Sequence, residues 1–248
     1  MCGIVGYVGN KGAKSFLIDG LSKLEYRGYD SAGIAVLDGT SISLVKQKGR
    51  LSNLEGALKI QSSEGTIGIG HTRWATHGEP SDRNSHPHKS SKGDIAVVHN
   101  GIIENYLELR KWLISEGYEF FSETDTEVVP NLIHYYYEGN LFEAVVKATK
   151  KLEGSYALGV VCGDEQDKLI AVRKDSPLIV GLGNGENFIA SDIPAVINYT
   201  RDVYLLDDNE FVVMDRNGVS ILSANGDRID KNIYKVTWSE DAAEKGGY

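Results

Sequence analysis

The stretch MCGIVGYVG, residues 1–9, sets one of only two cysteines in 248 residues directly before an apolar, glycine-broken run that reads as a β-strand. A residue as small as Cys2 permits removal of Met1, which leaves a free amine on the carbon that carries the thiol. An α-amine titrates near ~7.7–8.0 and a thiol near ~8.5, so at neutral pH part of the amine is unprotonated and can take the thiol proton. The structural alternative is a small buried hydrophobe opening a core strand. Cys162, inside ALGVVCG, is read as core alone.

Working outward, AKSFLIDGLSKLEYRG reads as a helix stopped by Gly28, because Phe16, Leu17, Leu21 and Leu24 recur near the helical period. SAGIAVLDGTSISLVKQ holds two strands about Asp38-Gly39, a tight-turn signal. LSNLEGALKI is a short helix, while GTIGIGHTRWA and DIAVVHNG are strands ending in polar residues. IIENYLELRKWLISEG, TDTEVVPNLIHYYYEG and NLFEAVVKATKKLEG read as three helices, with Pro130 tolerated in the first turn of the second. From Ser155 onward strands return, with Asn217-Gly218 and Asn225-Gly226 as hairpin turns. GLGNGE, residues 181–186, is a turn between strands rather than a phosphate loop, since no helix signal follows it. Strands, then helices, then strands joined by hairpins predict an α+β fold of antiparallel sheets covered by helices, in one domain.

Twenty-six basic and 35 acidic residues give a net charge of -9 without a basic stripe, which argues against a nucleic-acid partner. No run reaches the ~18 apolar residues of a membrane span and no signal peptide opens the chain. With two thiols and no disulfide framework, a cytoplasmic location is expected.

Three further segments carry chemistry. In HTRWATHGEP, 71–80, Arg73 is a planar fork suited to a carboxylate and Trp74 can close over a ligand; the alternative is an ordinary loop. In VVHNGIIEN, the Asn100 side-chain amide and the Gly101 backbone N–H are two donors for a developing oxyanion, or else a simple turn. In SETDTEV, Thr124 to Glu127 fits a capping box, and Asp125 at that helix start can also hold an ammonium. An Arg for a carboxylate and an Asp for an ammonium together describe an amino-acid site. His71, His77, His86, His88 and His99 fall close together, but no metal-ligand spacing such as H-E-x-x-H or paired C-x-x-C appears, so no metal and no cofactor are expected.

Together MCGIVG, LEYRGYDSAG, HTRWATHGEP, VVHNGIIEN and SETDTEV resemble the glutamine-hydrolysing (type 2 glutamine amidotransferase) domain of the glutamine–fructose-6-phosphate aminotransferase family, over essentially the whole chain. The resemblance implies the N-terminal-nucleophile hydrolase fold, a four-layer αββα sandwich of two antiparallel sheets. It implies that Cys2 attacks the side-chain amide of L-glutamine to give a glutamyl thioester. Asn100 and Gly101 would form the oxyanion hole, Arg73 would hold the substrate carboxylate and Asp125 its ammonium. Thr76 and His77 would line the pocket, Trp74 would belong to a lid, and Arg27 and Gly28 match positions near the nucleophile. Residues 1–240 would be the glutaminase domain. Residues 241–248 would start a linker to a sugar-phosphate isomerase domain that this chain does not include; in the full-length enzyme a homodimer is a further expectation. Three other readings stay open: a regulatory module that holds glutamine with little turnover, the glutaminase domain of another N-terminal-cysteine amidotransferase, or a metal-dependent amidohydrolase that would survive Cys2→Ala and fail with chelators.

Overall fold

Along the first strand, β1 (Gly3–Gly9), Ile4 and Val8 face one way, Val5 and Tyr7 the other, and both faces are buried. A strand covered on both sides needs a packed layer on each, and the architecture follows. The structure, a computed structural model, describes residues 2–60, 64–74 and 78–237. After β1 come α1 (Ala13–Ser22), the hairpin β2 (Ser31–Asp38) and β3 (Ser41–Lys48), α2 (Leu51–Leu58), β4 (Ile67–Arg73), β5 (His88–Lys89) and β6 (Ile95–Ile103). Three helices follow, α3 (Tyr106–Ser115), α4 (Val128–Tyr136) and α5 (Leu141–Thr149). The chain then returns to strands: β7 (Gly154–Cys162), β8 (Leu169–Lys174), β9 (Ile179–Leu182), β10 (Glu186–Ala190), β11 (Asp202–Leu205), β12 (Phe211–Met214), β13 (Val219–Leu222) and β14 (Tyr234–Lys235).

These strands form two sheets, one in the order β14-β11-β9-β10-β1-β4-β2-β3 and the other β13-β12-β8-β7-β6-β5. Their ladders are antiparallel throughout. Three apolar layers separate four structural ones. Ile4, Val8 and Ile69 of the first sheet meet Val98, Val161 and Ala171 of the second. Val5, Tyr7 and Ile34 pack outward on Leu17 and Leu21 of α1 and Leu54 of α2. Val97, Leu158 and Val160 pack outward on Leu113 of α3, Leu132 of α4 and Val145 of α5. This is the αββα sandwich that the resemblance implies, and Cys162 lies buried in its core as expected.

Local details depart from the sequence reading at the end of α1, which stops at Ser22 ahead of a short 3-10 turn over Glu25–Arg27 and does not run to Gly28, and in three further places. The first hairpin pairs Asp38 with Ser41, so its two-residue loop is Gly39-Thr40, with Gly39 at φ +58°, one residue later than expected. Ile102 and Ile103 belong to β6, where they pair with Ser155 and Gly154, and helix α3 starts only at Tyr106. The capping box at Thr124 does not form. Thr124 Oγ1 instead meets His88 Nε2 at 3.0 Å, and the Glu127 carboxylate accepts the backbone N–H groups of Phe121 and Ser122 at 2.8 and 2.7 Å. The cap with that character sits one helix later, where the Asn140 side chain accepts the Glu143 N–H and donates to the Glu143 carboxylate.

Because Ile69 is wholly buried between the sheets, Ile69→Ala is expected to lower the unfolding free energy by about 2–5 kcal/mol, read from urea denaturation. A loss well under 1 kcal/mol would mean that the sheets do not meet there.

Candidate active site

Strand pairing brings the nucleophile to its partners. Gly3 pairs with Thr72 across β1 and β4, and Ser31 with Arg73 across β2 and β4, so the chain just before β1 lies beside the chain just after β4. There the Trp74 backbone N–H donates to Cys2 Sγ at 3.2 Å, and the thiol lies 3.6 Å from the Trp74 carbonyl oxygen. Gly28 makes this approach possible: a Cβ on it would stand 2.7–2.9 Å from the Arg73 carbonyl and the Trp74 nitrogen. The Trp74 ring is about half exposed and meets Tyr29 edge-on at 5.3 Å.

The second sheet supplies the facing groups. Asn100 Nδ2 donates to the Cys2 carbonyl oxygen at 3.0 Å, tying the two sheets together beside the thiol. An Asn amide has two N–H donors, so one holds Cys2 and the second is left for a ligand. Gly101 adopts φ +126°, and a Cβ there would collide with the Ser155 carbonyl, so the position accepts glycine alone. Asp125 is buried with Oδ2 accepting the Ile103 N–H at 2.8 Å.

Cys2, Arg27, Arg73, Trp74, Asn100, Gly101 and Asp125 thus line one pocket of about 340 Å³. Gly28 packs behind it rather than lining it. Thr76 and His77 lie outside the described residues. Sequence reasoning did not find the support of Arg27, whose guanidinium pairs with Asp192 while Tyr26 OH donates to the same carboxylate at 2.9 Å. Nor did it place Ser176, His99 and Thr126 in the wall, although His99 and Thr126 lie inside the motifs VVHNGIIEN and SETDTEV.

Arg73 Nη2 donates to the Gly78 carbonyl at 3.0 Å, which leaves the fork beside the pocket. Burial pulls its pKa down from the usual arginine range, against the carboxylates of Asp30 and Asp125, yet a guanidinium stays charged at any working pH. A buried positive charge and a buried carboxylate, Asp125, therefore face one small cavity. Burial pushes the Cys2 thiol above its usual value, opposed by its hydrogen bond with the Trp74 backbone. The resting sulfur is a thiol, and it needs a base to become a nucleophile.

Four of the five clustered histidines are buried and collected between the sheets. His71 stacks on His86 at 4.2 Å, and His86 meets His88 edge-on at 4.8 Å. Among the described residues no three His, Cys, Asp or Glu side chains stand in an arrangement that can hold a metal ion. The rings make internal bonds: His99 Nδ1 lies 2.7 Å from Thr126 Oγ1, and the His99 backbone N–H donates to His86 Nδ1. Burial holds His71 down at about 3 and lowers His86, His88 and His99, so all four are neutral near pH 7.

Comparison with known proteins agrees with this geometry. A family model described as a glutamine amidotransferase domain matches residues 71–198, more than half of the chain. Glutamine–fructose-6-phosphate aminotransferases (isomerizing) from Clostridium tetani and Clostridium perfringens are 67% and 66% identical over all 248 residues. The one from Aquifex aeolicus is 50% identical. The chain spans 41% of the length of the two clostridial relatives and 42% of the third. Among solved structures, a glutamine phosphoribosylpyrophosphate amidotransferase from B. subtilis superposes with a TM-score of 0.78 at 24% identity, covering 90% of this chain and 49% of that one. That likeness shows the shared fold.

Two expectations follow from the site. Gly28→Ala should push the Trp74 N–H off the thiol and slow alkylation of Cys2 by iodoacetamide roughly tenfold, about the worth of one hydrogen bond; an unchanged rate would remove Gly28 from any positioning role. The histidines set an acid limit. Unfolded histidines take up protons near ~6.5 while these stay neutral, so the unfolded state binds more protons and stability falls as pH drops below that value, for His71 down to about 3. Urea titrations between about pH 7 and pH 5 should show at least about two protons taken up on unfolding. A flat profile would place these rings in contact with water.

Proposed function

Since the chain belongs to the family of glutamine amidotransferase domains, we propose that it hydrolyses L-glutamine to L-glutamate and ammonia through a thioester on Cys2. The observation that carries this is the meeting of a thiol, two oxyanion donors and an opposed Arg and Asp around one cavity of amino-acid size. Glutamine enters with its α-carboxylate on Arg73 and its α-ammonium on Asp125, which aims the side-chain amide at Cys2. With Met1 removed, the Cys2 amine accepts the thiol proton and the sulfur adds to the amide carbon. The carbonyl oxygen becomes an oxyanion between Asn100 Nδ2 and the Gly101 N–H. As the intermediate collapses, the C–N bond breaks and the amine returns its proton to the departing nitrogen, which leaves as ammonia. Water then adds to the thioester carbon, the C–S bond breaks, glutamate departs and the thiol is restored. Trp74, half exposed at the mouth, is suited to cover the bound substrate.

The names of the relatives support a wider proposal: this domain supplies ammonia to a sugar-phosphate isomerase portion that turns fructose 6-phosphate into glucosamine 6-phosphate. Residues 1–240 correspond in this reading to the glutaminase unit and 241–248 to the start of the connection. A cytoplasmic setting suits a catalytic thiol.

The test is ammonia release from L-glutamine by the trimmed chain. Cys2→Ser should lower turnover about a thousandfold or more while calorimetry still detects glutamine binding. Arg73→Lys keeps the charge but loses the fork, and should raise KM roughly ten- to a hundredfold. Glutamine binding without turnover by the trimmed chain would convert the reading to a binding module. Turnover that survives Cys2→Ser would end the thiol mechanism.

A further inference from the structure

An oxyanion hole built on an asparagine has a weakness. The side-chain amide is nearly symmetric in shape, and turned over it would present Oδ1, a lone pair, to the developing negative charge. Something must hold it the right way round.

At Asn100 the geometry identifies what does. His71 Nε2 lies 3.0 Å from the His99 carbonyl oxygen and 3.0 Å from Asn100 Oδ1. A carbonyl oxygen can only accept, so Nε2 must carry the imidazole proton, and that proton is shared with Asn100 Oδ1. Turning the Asn100 amide would set an N–H₂ group against an N–H. On the other side Asn100 Nδ2 meets the Cys2 carbonyl, again an acceptor only. The two ends therefore demand the same orientation, and both neighbours come from the first sheet's side: His71 lies in β4 and Cys2 directly precedes β1.

We infer that His71 is a positioning residue for the glutaminase reaction, holding the Asn100 amide with its N–H₂ toward the nucleophile and the oxyanion. The inference rests on the proposed function, since it assigns a task within that site. His71 does not line the pocket, so it acts through Asn100 rather than on substrate. Its proton is fixed in place. His71 Nδ1 is fully buried with no hydrogen-bond partner among the described residues, and the ring face is stacked on His86, so nothing there stabilises a second proton. The pKa of about 3 agrees: the ring stays a neutral Nε2–H donor wherever the protein is folded and working.

Strand alternation explains why sequence reading passes over this role. His71 and Arg73 lie two apart on β4 and face the same side, so the strand that supplies the carboxylate fork also supplies the amide's anchor. In the motif HTRWATHGEP the histidine shows no partner until the second sheet is in place.

Two amide replacements separate positioning from packing. In His71→Gln the side-chain N–H₂ reaches close to the place of Nε2; in His71→Asn it stops near the place of Nδ1. If His71 orients Asn100, His71→Asn should lose about a hundredfold in kcat, the cost of a misplaced donor, and His71→Gln should regain at least about tenfold of it. KM for glutamine and the rate of Cys2 alkylation by iodoacetamide should change by no more than about twofold in either, because displacement at an alkyl carbon forms no oxyanion. Equal kcat in both variants, or alkylation falling in step with kcat, would overturn the inference. A second readout needs no variant: in the unaltered chain the ¹⁵N shifts of the His71 ring should show a proton on Nε2 and a bare Nδ1 between about pH 5 and pH 8. A proton on Nδ1 would overturn the inference even if the variants unfold. If the unaltered chain releases no ammonia, the proposed function fails separately, and the ring shifts still decide whether His71 holds the amide.

Discussion

The antiparallel pairing of β1 with β4 on one edge and β10 on the other is the constraint from which the rest of the molecule follows. It puts the first strand of the chain inside an eight-stranded sheet and buries both of its faces. One face then requires the helices α1 and α2, and the other requires a second sheet, which needs helices of its own. The same pairing settles where Cys2 lies. Residue 3 is opposite residue 72, so the thiol meets the backbone of Trp74, and two turns of the strand pattern bring Arg73 and His71 to the same face. A shift of register by one residue would turn all of these side chains to the outer layer.

Polar groups are concentrated where the two sheets face each other at this end, while a few others, such as Asn187 and Glu210, are buried elsewhere. Arg73, Asp125, Glu127 and four histidines are all nearly inaccessible to water. Burying such groups costs free energy unless each finds a partner, and most do: Glu127 collects two backbone N–H groups and the Ser122 hydroxyl. Three exceptions, His71 Nδ1, Thr72 Oγ1 and Arg173 Nε, have no hydrogen-bond partner among the described residues. The region is buried, and most of its polar groups are held by hydrogen bonds within the protein. Such a region suits chemistry in which fixed donors, rather than mobile water, must meet a charge as it forms.

How much of this was readable in the amino-acid sequence differs by element. The strand of residues 3–9, the helix carrying Phe16, Leu17 and Leu21, and the β2–β3 hairpin were legible because their periodicity is local. The end of β6 was not, since Ile102 and Ile103 are drawn into the ladder by β7, more than fifty residues on. The Thr124–Glu127 spacing suggested a cap because it matches one in isolation; tertiary contacts with His88 and with residues 121–122 took both side chains. At the site, Cys2, Arg73, Asn100, Gly101 and Asp125 were marked by unusual residues at strand ends or a helix start. His71, Asp192 and Ser176 were not, because their partners come from distant parts of the chain.

The position of β1 also has a meaning in time. Its register with β10 joins residues 5 and 190, so the strand cannot be sealed on that side until residue 190 has been made. At ~5–20 residues per second a ribosome needs on the order of 10–40 s to cover that distance. Throughout this interval the first residues of the nascent protein have only one edge on which to pair, and an aminopeptidase can reach Met1. The fold thus leaves this edge open for the trimming on which the proposed chemistry depends, and closes it only once β10 has emerged.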